Sequence, residues 1–196
     1  MYLSKCLVTG RRPMNPYQVH QKIWSLFPNR PEAKRDFLFR VEQFSPGGQA
    51  ILLQSALMPV AVKGDLVLLD QKEISYSFGE GMGLRFLLTA NPTKRIRDVG
   101  GKKKNQGKCR VPLIDEDEIR DWLVRKFTGV AQLHEMIIAG KNTLYFRKKG
   151  NPGKIATVTY SGLLTVSDGD FFQGFVEKGI GPAKAFGCGL LSLARV

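Results

Sequence analysis

The chain has 196 residues, 43% of them hydrophobic, and carries 30 Lys+Arg against 17 Asp+Glu for a formal charge of +13. That is enough apolar material for one large or two small cores. No apolar run approaches bilayer-spanning length, Met1-Tyr2-Leu3-Ser4-Lys5 lacks a signal-peptide pattern, and the three cysteines form no C-x-x-C pair. These features predict a cytoplasmic protein with no disulfide framework, no zinc knuckle and no membrane partner.

In chain order, Tyr2 to Val8 is β-prone, and Arg11-Arg12-Pro13 breaks it. Asn15 is placed to cap a helix with Pro16 in its first turn. Wound at about 100° per residue, Val19, Ile23, Leu26 and Phe27 form its buried stripe. Tyr17, His20 and Trp24 fall together on the flank. Asn29-Arg30-Pro31 reads as a turn, and Phe37–Val41 and Ala50–Ser55 as strands joined by Ser45-Pro46-Gly47-Gly48. With apolar Asp65–Leu69 and alternating Glu73–Phe78, the first half reads β-α-β-β-(short connection)-β.

The second half opens on a strand at Leu84–Ala90, then a basic loop ending at Lys108-Cys109-Arg110. Charge concentrates here: residues 1–88 carry net +4 and residues 89–196 net +9, of which 94–110 supply +7. Asp115 reads as an N-cap with Glu118 completing a capping box, so the acidic run 115–118 suits a helix start better than a metal site. Leu133–Ile138, Leu144–Phe146 and Ile155–Val166 are strand-like, with a basic turn at Arg147–Lys154. Asp168 and Asp170 start a last helix. It runs into a glycine-rich loop, Gly179-Ile180-Gly181-Pro182-Ala183-Lys184-Ala185-Phe186-Gly187-Cys188-Gly189, and a closing strand. This half reads β-α-β-β-α-β. The expectation is therefore an α+β chain of two tandem ferredoxin-like domains, 1–83 and 84–196.

Charge of this density points to a polyanion, above all nucleic acid. The aromatic RNP1 octapeptide is absent, so the expected contacts are electrostatic ones from lysine and arginine to phosphates. Candidates are Lys102, Lys103, Lys104, Lys108 and Arg110 in the basic loop, Arg147, Lys148, Lys149 and Lys154 in the turn, and Lys184 in the glycine-rich loop. Gly179, Gly181, Gly187 and Gly189 let a backbone pass close to a phosphate. No metal triad or cofactor motif stands out. His134 reads as structural. His20 and Tyr17, three residues apart on one helix edge, read either as a packed pair or as a proton-transfer pair. The second suits transesterification, in which a ribose 2′-hydroxyl attacks the adjacent phosphate while a histidine moves the protons.

Several segments stand in order along the chain: Met1–Lys5, Tyr17-x-x-His20 through Leu26-Phe27-Pro28-Asn29-Arg30-Pro31, Arg35-Asp36-Phe37-Leu38-Phe39, Leu53-Gln54-Ser55-Ala56, Cys109–Ile114 and Gly179–Lys184 with Gly187–Leu193. Together they resemble the CasE-type endoribonucleases that process CRISPR precursor RNA. The resemblance implies metal-independent cleavage at the 3′ base of repeat hairpins, giving 5′-hydroxyl and cyclic-phosphate ends. It also implies retention of the crRNA with other subunits of the Cascade complex. The family's catalytic histidine maps onto His20 and its tyrosine onto Tyr17. A non-catalytic RNA-hairpin-binding subunit is the alternative, and a nucleotide-binding enzyme built on the glycine-rich loop is a weaker one, because that loop precedes a strand.

Overall fold

The structure, a computed structural model, describes all residues except 11, 29–33, 46, 98–107 and 149, and the backbone alone at 43–45, 108 and 148. The expected turn at Asn29-Arg30-Pro31 lies outside the described residues. In the first unit, strands β1 (Tyr2–Thr9), β2 (Phe37–Ser45), β3 (Gly48–Ser55) and β4 (Leu66–Glu73) form an antiparallel sheet ordered β2-β3-β1-β4. Helix α1 (Pro16–Trp24) covers one face. Asn15 and Gln18 form a full capping box, with Pro16 in the first turn. Val19, Ile23, Leu26 and Phe27 are buried, as the periodicity predicts. Beyond Trp24 the chain tightens: Ser25, Leu26 and Phe27 donate to the carbonyls three residues back. No helix lies between β3 and β4, so this copy lacks the second helix of the motif, matching the short connection read there.

The second unit repeats the strand order with both helices. Strands β5 (Gly83–Ala90), β8 (Ala131–Lys148), β9 (Asn151–Val166) and β10 (Leu191–Arg195) pair as β10-β5-β9-β8. Helices α2 (Glu116–Phe127) and α3 (Gly169–Lys178) bury Ile119, Trp122, Leu123, Phe127, Phe172 and Val176 in its core. Tyr76 and Phe78, from the chain joining the units, pack on this core.

Three expectations change. The ends of the basic loop are a two-stranded ribbon, β6 (Thr93–Arg97) and β7 (Lys108–Pro112), paired from Thr93↔Pro112 to Arg97↔Lys108. Lys108-Cys109-Arg110-Val111 alternates, but β6 is exposed from Lys94 to Arg97 and has two adjacent charges, so it carries no period of two. The two strand-like segments at 133–146 are one strand, β8, whose irregular middle is absorbed by register shifts at Leu133/Glu135 and Ile138/Gly140. The basic turn is likewise mostly strand, since β8 and β9 pair out to Lys148↔Asn151. The result is a long two-stranded arm.

The units meet on the face of the first sheet opposite α1. Leu38, Arg40 and Gln54 point there and are buried. Arg40 donates to Ser192 Oγ at 2.9 Å, makes longer contacts at 3.5 Å to the carbonyls of Leu87 and Leu190, and pairs with Glu42. Gln54 donates to the Val176 carbonyl and accepts from Tyr76 Oη at 2.8 Å. A guanidinium removed from water in this way is tolerated because its donors are used. Among the described residues no helix is long and apolar enough to cross a membrane.

Strand pairing at the centre of the second unit depends on Gly162, where a Cβ would sit 1.9 Å from the Glu135 carbonyl oxygen. Gly162→Ala is expected to cost about 1–3 kcal/mol through overpacking, read as a lower midpoint in urea with an unchanged slope. Burial raises the thiol pKa of Cys6 to about 11 and of Cys188 to about 12. Iodoacetamide at pH 8 should therefore alkylate half-buried Cys109 and spare the other two in the native protein, checked by peptide mass mapping.

Candidate active site

Capping by Asn15 and burial of Val19 and Ile23 fix the rotation of α1, which leaves Tyr17 and His20 half-buried on its flank. The imidazole of His20 lies in an aromatic cradle. Its ring centroid is 5.6 Å from Phe37, 6.5 Å from Phe39 and 6.2 Å from Trp24, the last edge-on. Phe37 and Phe39 alternate on β2 and so present both rings to the helix. This cradle orients the ring and buries its Nε2, while the residue as a whole stays half-buried.

Two further elements reach α1. The glycine-rich loop contains one turn of 3₁₀ helix, Lys184–Phe186, which packs against α1 and β2. β8 also touches α1, and Phe146 near the end of the arm packs on Phe186 with ring centroids 4.5 Å apart. Arg147 and Lys154 on that arm are exposed. The loop itself lies tight between the units. Gly179 has φ 73° and ψ 163°, a region essentially restricted to glycine, and a Cβ there would lie 2.6 Å from Leu38. At Gly181 a Cβ would meet the Trp122 indole at 2.8 Å.

Lys184 is half-buried, and its ammonium donates to the Lys178 carbonyl at 2.6 Å, capping α3. Burial holds its pKa below the usual lysine range, and the positive charges of Arg35 and Lys126 lower it further. On the other side of the loop, Gly181 and Pro182 share an open cleft of about 460 Å³ with Arg95, Arg110, Trp122 and Lys126. The loop thus stands between the basic arm and the basic ribbon. Lys102, Lys103, Lys104 and Lys149, and the side chains of Lys108 and Lys148, lie outside the described residues.

Three of the four acids in the acidic run, Asp115, Glu116 and Glu118, are engaged. Asp115 caps α2 through the Glu118 amide, but the Glu118 carboxylate pairs with Lys94 at 2.6 Å rather than completing a capping box. Glu116 pairs with Arg120 at 2.8 Å and Lys141 at 3.2 Å, which hold its carboxyl below the usual range. Among the described residues no group of His, Cys, Asp and Glu side chains is arranged to hold a metal ion. His134 is exposed, far along the chain from α1, and its Nε2 lies 2.7 Å from Thr165 Oγ1. The aromatic cradle and Arg35 are absent from the site residues read from the sequence. Helix spacing already sets Trp24 beside His20, and the alternation Phe37-x-Phe39 near a basic residue is the signal for the other two rings and Arg35.

Two ferredoxin-like units packed through a glycine-rich loop of the second, with a half-buried histidine on the helix of the first, define a tandem ferredoxin-like protein. Comparison with known proteins agrees. The CRISPR associated protein family matches residues 1–195, and the chain belongs to that family. The chain is 44% identical over 198 residues to the CRISPR system Cascade subunit CasE of Escherichia coli K12, covering 99% of each. It is similar to the crystal structure of the CRISPR-associated protein Cas6e from E. coli K-12, with a TM-score of 0.86, 41% identity and full coverage of both chains. It is also similar to a structure of the CRISPR endoribonuclease Cse3 bound to 19 nt RNA, with a TM-score of 0.82 and 28% identity, covering 99% of this chain and 100% of that one.

Gly179→Ala places a side chain in a glycine-only conformation and against Leu38. It should cost about 1–3 kcal/mol in stability and raise amide exchange across residues 180–189, read by hydrogen–deuterium exchange.

Proposed function

We propose that this chain is a metal-independent endoribonuclease that cleaves CRISPR precursor RNA at the 3′ base of repeat hairpins. One observation carries the reading: His20 sits in an aromatic cradle where the glycine-rich loop and the basic arm both reach α1. Similarity to a Cascade subunit and to an endoribonuclease bound to RNA supports it. In this reading the 2′-hydroxyl attacks the adjacent phosphorus and the 5′-oxygen leaves, giving a cyclic phosphate and a 5′-hydroxyl. His20 acts as the general acid or base for these proton movements, and Tyr17 orients or stabilises the reacting phosphate. The product RNA stays bound, and the protein joins other Cascade subunits in the cytoplasm.

Residues 1–83 form the unit that carries the catalytic helix, and 84–196 the unit that supplies the basic surfaces. Arg110, Arg147, Lys154 and Lys184, with Lys102, Lys103, Lys104, Lys108, Lys148 and Lys149, contact the RNA backbone. Gly179, Gly181, Gly187 and Gly189 shape the loop that the RNA follows.

His20→Ala should lower the single-turnover cleavage rate by about 10²–10⁴-fold while hairpin affinity stays within a few fold, measured with a labelled repeat hairpin. Tight binding by the wild type without a cut would instead assign a purely RNA-binding subunit. Wild-type cleavage should persist in EDTA. Loss there would return attention to Asp115–Glu118.

A further inference from the structure

The approach to β2 carries a guanidinium with no role in the reading so far. Arg35 is half-buried, its Nη1 donates to the Phe37 carbonyl at 2.6 Å, and its Cζ lies 6.0 Å from the Phe37 ring centroid. That ring is also a wall of the His20 cradle, 5.6 Å from the imidazole. Arg35 and His20 are therefore organised around one side chain.

Arg35 shares this neighbourhood with other cations. Its charge acts on Lys184, whose turn packs on α1 and β2. Lys126 acts on Lys184 as well, and its ammonium lies 5.6 Å from the Trp122 ring. The three come from three separate elements. Among the described residues none of them forms an ion pair, and Asp36 is the carboxylate whose charge acts on Arg35. Asp36 offsets part of this charge, and an anion placed among the three cations relieves the repulsion that remains.

We propose that Arg35 and Lys184 hold an RNA phosphate beside His20, with Lys126 guiding the strand from the cleft at the β6–β7 ribbon, so that Arg35 is a further residue of the cleavage site. This rests on the endoribonuclease reading. Arginine has five N–H donors, and one of them is anchored on the Phe37 carbonyl. That anchor fixes the planar fork and leaves donors for two phosphate oxygens. Negative charge grows on the non-bridging oxygens as the 2′-oxygen adds to phosphorus, so fixed cations there act most strongly in the transition state.

The test uses the full chain, a cleavable repeat hairpin for rates and its 2′-deoxy analogue at the scissile position for binding. Arg35→Gln should lower the single-turnover rate at saturating hairpin by tenfold or more. It should also flatten the slope of log Kd against log salt by about 0.7–0.9, the signature of one lost phosphate contact. Arg35→Lys should restore the slope and part of the rate. An unchanged slope, or an unchanged rate, overturns the proposal. A slope unchanged while the melting temperature falls assigns Arg35 to bracing Phe37 only. If Arg35→Gln fails to fold, Lys184→Gln gives the same two readings with Phe37 still braced, and an unchanged slope there overturns the phosphate seat. Failure of the wild type to cut the hairpin refutes the endoribonuclease reading instead, and leaves the salt-slope test intact.

Discussion

The close approach of a side-chain-free backbone to two core residues holds this molecule in its working shape. Gly179 lies against Leu38 of one unit, and Gly181 lies against Trp122 of the other. A loop with ordinary side chains at those positions would force the surfaces apart. Because the loop fits, its 3₁₀ turn reaches α1 and β2, and Phe186 meets Phe146 from the basic arm. Arg40 reinforces the same seam, bonding Ser192 on the strand that leaves the loop. The histidine helix thus meets groups from both units without any long connection of its own.

Electrostatics divides the surface by the same logic. At the start of α2, Glu118 is committed to Lys94 and Glu116 to Arg120 and Lys141. The cations around the glycine-rich loop have no such partners among the described residues. Lys184 is held below its usual pKa by burial and by like charge, and burial lowers that of Arg35 as well. An unneutralised cluster of this kind suits a ligand that brings its own negative charge, as a nucleic acid backbone does.

Much of the architecture was legible from periodicity and capping. The Asn15-Pro16 start and the stripe Val19, Ile23, Leu26 and Phe27 fold as read, because local hydrogen bonds and a period of 3.6 determine them. The order of strands was legible for the same local reasons. The β6–β7 ribbon was not, since β6 has adjacent charges at Lys94 and Arg95 and little burial, and pairing with a partner strand is what makes it extended. β8 was read as two pieces because its middle is irregular; only β9 shows that one strand runs through.

For the site the division is similar. Residue identity and spacing alone put Tyr17 and His20 on one helix edge, and the ordered motifs pointed to a family of RNA-processing enzymes. Neither could say that Phe37 and Phe39 cradle the imidazole, since those rings arrive from a strand that only packing sets beside α1. The glycine-rich loop shows the limit most clearly. Its glycines marked a close approach, but the sequence does not say to what. The tertiary fold supplies Leu38, Trp122 and the histidine helix, because contacts between distant segments depend on how two sheets pack and not on any local preference.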